Sequence, residues 1–185
     1  MTYEVELKFP LNDSAPILSK LDELGATRLA TIEQNDLYFA HPVRNFAKTD
    51  EALRIRSAGI SNAVTYKSPI VDDQTKTRRE IEIPFADGAD SAAQFAEMLT
   101  ILGFQEVRTV SKKRVPFHLQ WEDHCVEVAL DDVVGLPGSF IEIEILADEA
   151  NREAARDSIL RLAEHLELKG SERKSYIHLL LDADS

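Results

Sequence analysis

The stretch Tyr3-Glu4-Val5-Glu6-Leu7-Lys8-Phe9 constrains the chain most, because two unlike sets of side chains alternate along it. Strand side chains point to opposite faces in turn. Tyr3, Val5, Leu7 and Phe9 therefore form an apolar row, and Glu4, Glu6 and Lys8 a charged one. A single charged row is most often a solvated face. Here the arrangement recurs: Arg54 and Arg56, Lys112 and Arg114, and Glu142 and Glu144 each stand two residues apart, and Arg78, Glu80 and Glu82 form a triple. Charged rows on strand after strand imply either one very wet sheet face or a closed, charged interior.

Size and charge narrow the choice. The 185 residues, 44% hydrophobic, suffice for one domain (1–185) with a real core and are few for two. A formal charge of −12, from 33 acids and 21 bases, argues against a protein that grips a nucleic acid polymer through its overall field. It leaves room for a small polyanion held by a local cluster of bases. Cys125 is the lone cysteine, which excludes an internal disulfide and a Cys-rich zinc site. Nowhere do about 18 apolar residues run together, and no apolar leader precedes the first strand, so no membrane association and a cytoplasmic location are expected.

Strand and helix signals alternate along the chain. Asn12-Asp13-Ser14 and Pro16 open a helix carrying Ile17, Leu18, Leu21 and Leu24, and Gly25 stops it. Residues 34–40 read as a short strand, 43–50 as loop, 52–56 and 63–67 as paired strands, 71–76 as a polar loop and 78–84 as a strand. A helix from about Ser91 to Leu102 ends at Gly103. Extended segments follow at 106–121, 126–131 and 140–145. A helix spans about Asp148 to Glu167, and a last one, capped by Ser171, carries Tyr176, Ile177, Leu180 and Leu181.

About eight strands with short turns predict an α+β fold, a closed antiparallel β-barrel with helices packed outside. If helices cover the apolar rows, the charged rows line the lumen. Two like charges about 8 Å apart repel by roughly 2 kcal/mol at an effective dielectric of about 20. Arg54, Arg56, Lys67, Arg78, Lys112 and Arg114 are therefore hard to explain as purely structural. Arginine and lysine hold phosphate oxygens through charge-assisted bonds, and hard divalent cations bridge carboxylates to phosphates. Acids and bases in one lumen thus point to a metal-bound polyphosphate. The histidines show no metal-ligand spacing and read as surface or core, Trp121 and Tyr176 as core or rim.

These residues carry a resemblance. Glu4-x-Glu6-x-Lys8 resembles the N-terminal signature of the CYTH superfamily, the triphosphate tunnel metalloenzymes. The resemblance continues through Leu53-Arg54-x-Arg56, Lys67-Ser68-Pro69, Arg78-x-Glu80-x-Glu82, Lys112-x-Arg114, an Asp before a Gly-containing loop, and Phe140-x-Glu142-x-Glu144. Leu102 to Phe104 and Ser175-Tyr176-x-x-Leu179-Leu180 are closest to class IV adenylyl cyclases. The resemblance implies a triphosphate tunnel with Mg2+ or Mn2+. It makes Glu4, Glu6, Glu142 and Glu144 metal-side carboxylates, and Lys8, Arg54, Arg56, Lys67, Lys112 and Arg114 phosphate ligands. Arg78 is placed with the substrate ligands, although it could equally form a cross-lumen ion pair with Glu80. Glu4, Glu6, Lys8 and Asp131 take the catalytic roles. Alternation favours Asp131, which shares a face with Glu127, over Asp132.

One cage serves two reactions. In a cyclase the ribose 3′ oxygen attacks the α-phosphorus of ATP, giving cyclic AMP and pyrophosphate. In a triphosphatase water attacks the terminal phosphorus of tripolyphosphate, thiamine triphosphate or a nucleoside triphosphate. The cyclase is the first expectation and the triphosphatase the alternative. A barrel that merely sequesters nucleotide or polyphosphate comes third, having little use for so many carboxylates. A homodimer is compatible with all of these.

Overall fold

The computed structural model describes residues 2–184. In chain order the elements are β1 (Thr2–Leu11), α1 (Ala15–Glu23), β2 (Thr27–Arg28), β3 (Ile32–Ala40), α2 (Phe46–Thr49), β4 (Ala52–Ala58), β5 (Ser61–Lys67), β6 (Arg78–Phe85), α3 (Ala89–Ile101), β7 (Gln105–Trp121), β8 (His124–Val133), β9 (Ser139–Asp148), α4 (Arg152–His165) and α5 (Tyr176–Ala183). The strands run in the order β7-β3-β4-β5-β6-β1-β9-β8, and β8 pairs back onto β7, so the antiparallel barrel closes with eight strands. Strand β2 adds two residues to the outer end of β7 and lies outside the ring.

The apolar rows dictate where the helices go. Val5, Leu7 and Phe9 of β1 and Ile143 and Ile145 of β9 pack with Ile17 and Leu21 of α1 and with Ile159 and Leu162 of α4. Each large side chain buried there stabilises the fold by about 1.5–3 kcal/mol. A second cluster joins Phe39 and Ile55 to Ala96 and Leu99 of α3. With the apolar faces covered from outside, the alternate residues turn inward: Glu6 is 5% exposed and Lys8 1%. At one end the inward rows become apolar. Tyr38, Val110, Val133 and Phe140 pack against Tyr176, Ile177 and Leu180 of α5 there.

Two expectations shift. Residues 43–50 are not wholly loop, because Asn45 accepts the Lys48 amide at 3.2 Å and starts the single turn of α2. The last helix begins at Tyr176 with Ser175 as N-cap, not at Ser171. The preceding segment is committed elsewhere: the Glu172 amide donates to the Lys8 carbonyl at 2.7 Å. In the turn between β8 and β9, Gly138 has φ +69°, and a Cβ there would lie 2.8 Å from the Leu11 carbonyl oxygen. Neither condition suits a larger residue. No helix among the described residues is long and apolar enough to cross a membrane.

Candidate functional site: a charged barrel lumen

The lumen is a cavity of about 1060 Å³ lined by Glu4, Glu6, Lys8, Arg54, Arg56, Lys67, Arg78, Lys112, Arg114, Glu142 and Glu144. Register explains the gathering. Glu6 pairs with Glu144 and Lys8 with Glu142 across β1 and β9, while Glu4 lies opposite Arg78 of β6. His41, Phe46, Val107, His178 and Leu181 also line the cavity and give it a partly apolar margin.

The charges are not mixed evenly. One wall is cationic. Lys112 Nζ donates to Asp131 at 2.8 Å, and Arg114 reaches the same carboxylate at 2.8 and 2.6 Å and also Glu142. Arg54 and Arg56 share Asp36 at 3.2 and 2.7 Å. The other wall is anionic, with Glu4, Glu6, Glu80 and Glu144 close together. Lys67 Nζ lies 2.6 Å from both Glu4 oxygens and 2.7 Å from Glu80. Lys76 Nζ lies 3.1 Å from Glu6.

Proton affinities follow this polarity. Burial raises the Glu144 carboxyl well above the usual carboxylate range, and Glu4 and Glu6 add to the rise. Burial would raise Glu142 too, but Lys112 and Arg114 overcome it and hold that carboxyl well below the range. Burial, with the neighbouring Lys76 ammonium, lowers Lys8 to about 8. Lys112 is lowered by burial and then by Arg114.

Of the two neighbouring aspartates, Asp131 contacts the lumen bases and Asp132 does not. Asp132 is exposed and accepts a bond from Ser139 at 2.6 Å. Asp131 is fully buried and takes Lys112, Arg114 and the Tyr176 hydroxyl, the last at 2.9 Å. It stands behind the lumen wall as an anchor for the bases. Tyr176 does more than fill core: its ring lies 4.3 Å from Lys8 Nζ and 5.0 Å from Lys112 Nζ, within cation–π range.

Sequence reasoning leaves two other participants unassigned: Asp36 and Lys76. The alternation Gln34-x-Asp36-x-Tyr38 carried the signal for the first. Lys76 sits two residues before Arg78, so the inward row Lys76-x-Arg78-x-Glu80 begins inside a segment read as polar loop. Glu80, the expected ion-pair partner of Arg78, pairs instead with Lys67, and Arg78 Nε lies 3.7 Å from Glu4.

Among the described residues that line the lumen, the buried donors Arg54 Nε and Arg78 Nε have no hydrogen-bond acceptor, the latter lying 3.7 Å from Glu4 Oε2. Unmet buried donors are uncommon and costly, and in a basic lumen they are places for an anion's oxygens. The all-oxygen donors Glu4, Glu6 and Glu144 suit a hard divalent cation, and the crowding that raises Glu144 marks negative charge short of compensation. Among the described residues no three such groups already converge at ligand spacing. Lys67 holds Glu4 and Lys76 holds Glu6.

A closed barrel whose lumen opposes a wall of bases to a wall of carboxylates defines the class of triphosphate tunnel proteins. The chain belongs to the CYTH domain family, whose model matches residues 2–176. It is 34% identical over 179 residues to a provisionally named adenylate cyclase of Methanocaldococcus jannaschii, covering 95% of this chain and 97% of that one. Among solved structures it resembles the PH1819 protein of Pyrococcus horikoshii, with TM-score 0.83 and 38% identity over 97% of this chain and 98% of the other. A Hippeastrum protein, provisionally named an adenylyl cyclase and described as having a dominant triphosphatase activity, shares the fold. Its TM-score is 0.68 at 18% identity, over 98% of this chain and 96% of that one.

Proposed function

We propose that the protein is a metal-assisted enzyme that holds a triphosphate in its lumen and converts ATP to cyclic AMP and pyrophosphate. The observation that carries this is the opposition of the two walls, with the unmet Nε donors of Arg54 and Arg78 in the lining of the lumen. Lys8, Arg54, Arg56, Lys67, Arg78, Lys112 and Arg114 would bind phosphate oxygens by charge-assisted bonds, and Asp131 would keep Lys112 and Arg114 aimed. A magnesium or manganese ion, held by Glu4, Glu6 and Glu144 with Glu142 beside Arg114, would neutralise phosphate charge and assist the nucleophile. The partly apolar margin around Phe46 and Leu181 gives a nucleoside room that inorganic tripolyphosphate would not need. In-line attack of the ribose 3′ oxygen forms the new bond to the α-phosphorus and breaks its bond to the bridging oxygen, and pyrophosphate leaves. No side chain of the lumen is placed as a strong base, so the hydroxyl proton would pass to solvent, with the cation assisting its loss.

The second reading, a triphosphatase for tripolyphosphate or thiamine triphosphate, draws support from the Hippeastrum protein of like fold. Incubation with ATP, thiamine triphosphate and tripolyphosphate, each with Mg2+ or Mn2+, separates the readings. The cyclase should give cyclic AMP and pyrophosphate in equal amounts. Faster release of orthophosphate with no cyclic nucleotide would replace it with the triphosphatase. Binding of all three without turnover would leave a sequestering protein.

A further inference from the structure

We propose that Lys76, carried by the loop between β5 and β6, is a phosphate-binding residue of the tunnel that Glu6 holds in place until a triphosphate arrives. The inference rests on the triphosphate reading above and adds to it a cation that no strand supplies.

The barrel has a short seam. Strands β1 and β6 pair through Tyr3 with Arg79 and Glu4 with Arg78, and the ladder stops there. The loop then continues in register: the Lys76 amide donates to the Glu6 carbonyl at 2.9 Å, so the Lys76 side chain enters the lumen on the same face as Arg78. It lines the cavity and is 4% exposed.

The loop is built to hold that position. Asp72 Oδ1 accepts the Gln74 and Thr75 amides at 2.9 and 2.8 Å, and the Thr75 and Thr77 hydroxyls meet at 2.6 Å. The Val71 amide donates to the Thr77 carbonyl at 2.8 Å. Arg156 of α4 reaches Asp72 at 3.4 Å, and Arg173, from the segment before α5, donates to the Asp72 carbonyl at 3.2 Å. Thr75, Lys76 and Thr77 are all buried, an unusual commitment for a polar loop.

At rest the Lys76 ammonium is 3.1 Å from Glu6 Oε1. Glu6 is also one of the carboxylates suited to a divalent cation. If a cation takes Glu6, the buried ammonium loses its partner and gains a like-charged neighbour, a costly state. Triphosphate oxygens relieve it. Glu6 thus keeps Lys76 inside an empty tunnel, and the substrate replaces that contact.

The bland alternative makes Lys76 a counter-ion for Glu6 and nothing more. Isothermal titration of metal-free protein with inorganic tripolyphosphate separates the two, using wild type, E6Q, K76M and the E6Q/K76M double variant. The double variant removes both charges, so neither is left buried and unpaired, and the fold is kept. We expect E6Q to bind at least as tightly as wild type, and K76M in the E6Q background to weaken binding about tenfold or more, the scale of one charge-assisted bond. If E6Q/K76M binds as tightly as E6Q, Lys76 is a counter-ion and the inference is overturned, while the tunnel reading stands. If wild type does not bind tripolyphosphate even with Mg2+ added, both fall.

Discussion

Tyr176 donates its hydroxyl to Asp131 at 2.9 Å while its ring faces the ammonium of Lys8 at 4.3 Å. Helix α5 is thereby tied to the residue that aims Lys112 and Arg114. Tyr176→Phe keeps the ring and removes the bond from a fully buried carboxylate. It should lower stability by about 1–2 kcal/mol, seen as a lower urea midpoint at unchanged slope. Turnover should fall with it. An unchanged midpoint would mean that the hydroxyl contributes nothing to the anchor.

The Tyr176 contact also shows where the sequence was informative. The barrel could be read in advance because apolar and charged residues alternate, and a strand cannot mix its two faces. The same alternation placed Asp131 inward and Asp132 outward. What escaped were contacts set by closure of the barrel. Lys76 lies in a stretch without strand composition, and Asp36 is a lone acid among apolar and polar neighbours. Tyr176 reaches the lumen because α5 folds back over the barrel end. The contacts of Lys76 and Tyr176 depend on long-range pairing that periodicity does not encode.

Glu144 has burial and neighbouring acids against it, so a neutral isostere should relieve the metal-free protein. Glu144→Gln is expected to raise the melting temperature without metal while lowering turnover at least about a hundredfold, the scale of one lost electrostatic contact in a catalytic site. A variant that is less stable and fully active would assign Glu144 a structural role.

Asp36 yields a pH dependence. Burial alone would raise its carboxyl, yet Arg54 and then Arg56 hold it well below the usual range. Its folded value therefore lies below its unfolded value of about 3.9. Between the two the unfolded chain binds the extra proton, so the stabilisation is present in full above about pH 4 and is lost as the pH falls through the folded value. Asp36→Asn should destabilise the protein at pH 7 and flatten the acid limb of a stability–pH profile measured by urea unfolding. A profile parallel to wild type below about pH 4 would contradict the pairing.

The account stands or falls on the lumen as a cage for a polyphosphate with its metal, and thermal unfolding with ligand tests this most directly. With tripolyphosphate and Mg2+ at about a hundred times the dissociation constant, linkage predicts a rise of roughly 5–10 °C for a chain of this size. Orthophosphate at the same concentration should produce far less, because it engages few of the opposed bases. Equal shifts from the two anions, or none from either, would contradict the cage.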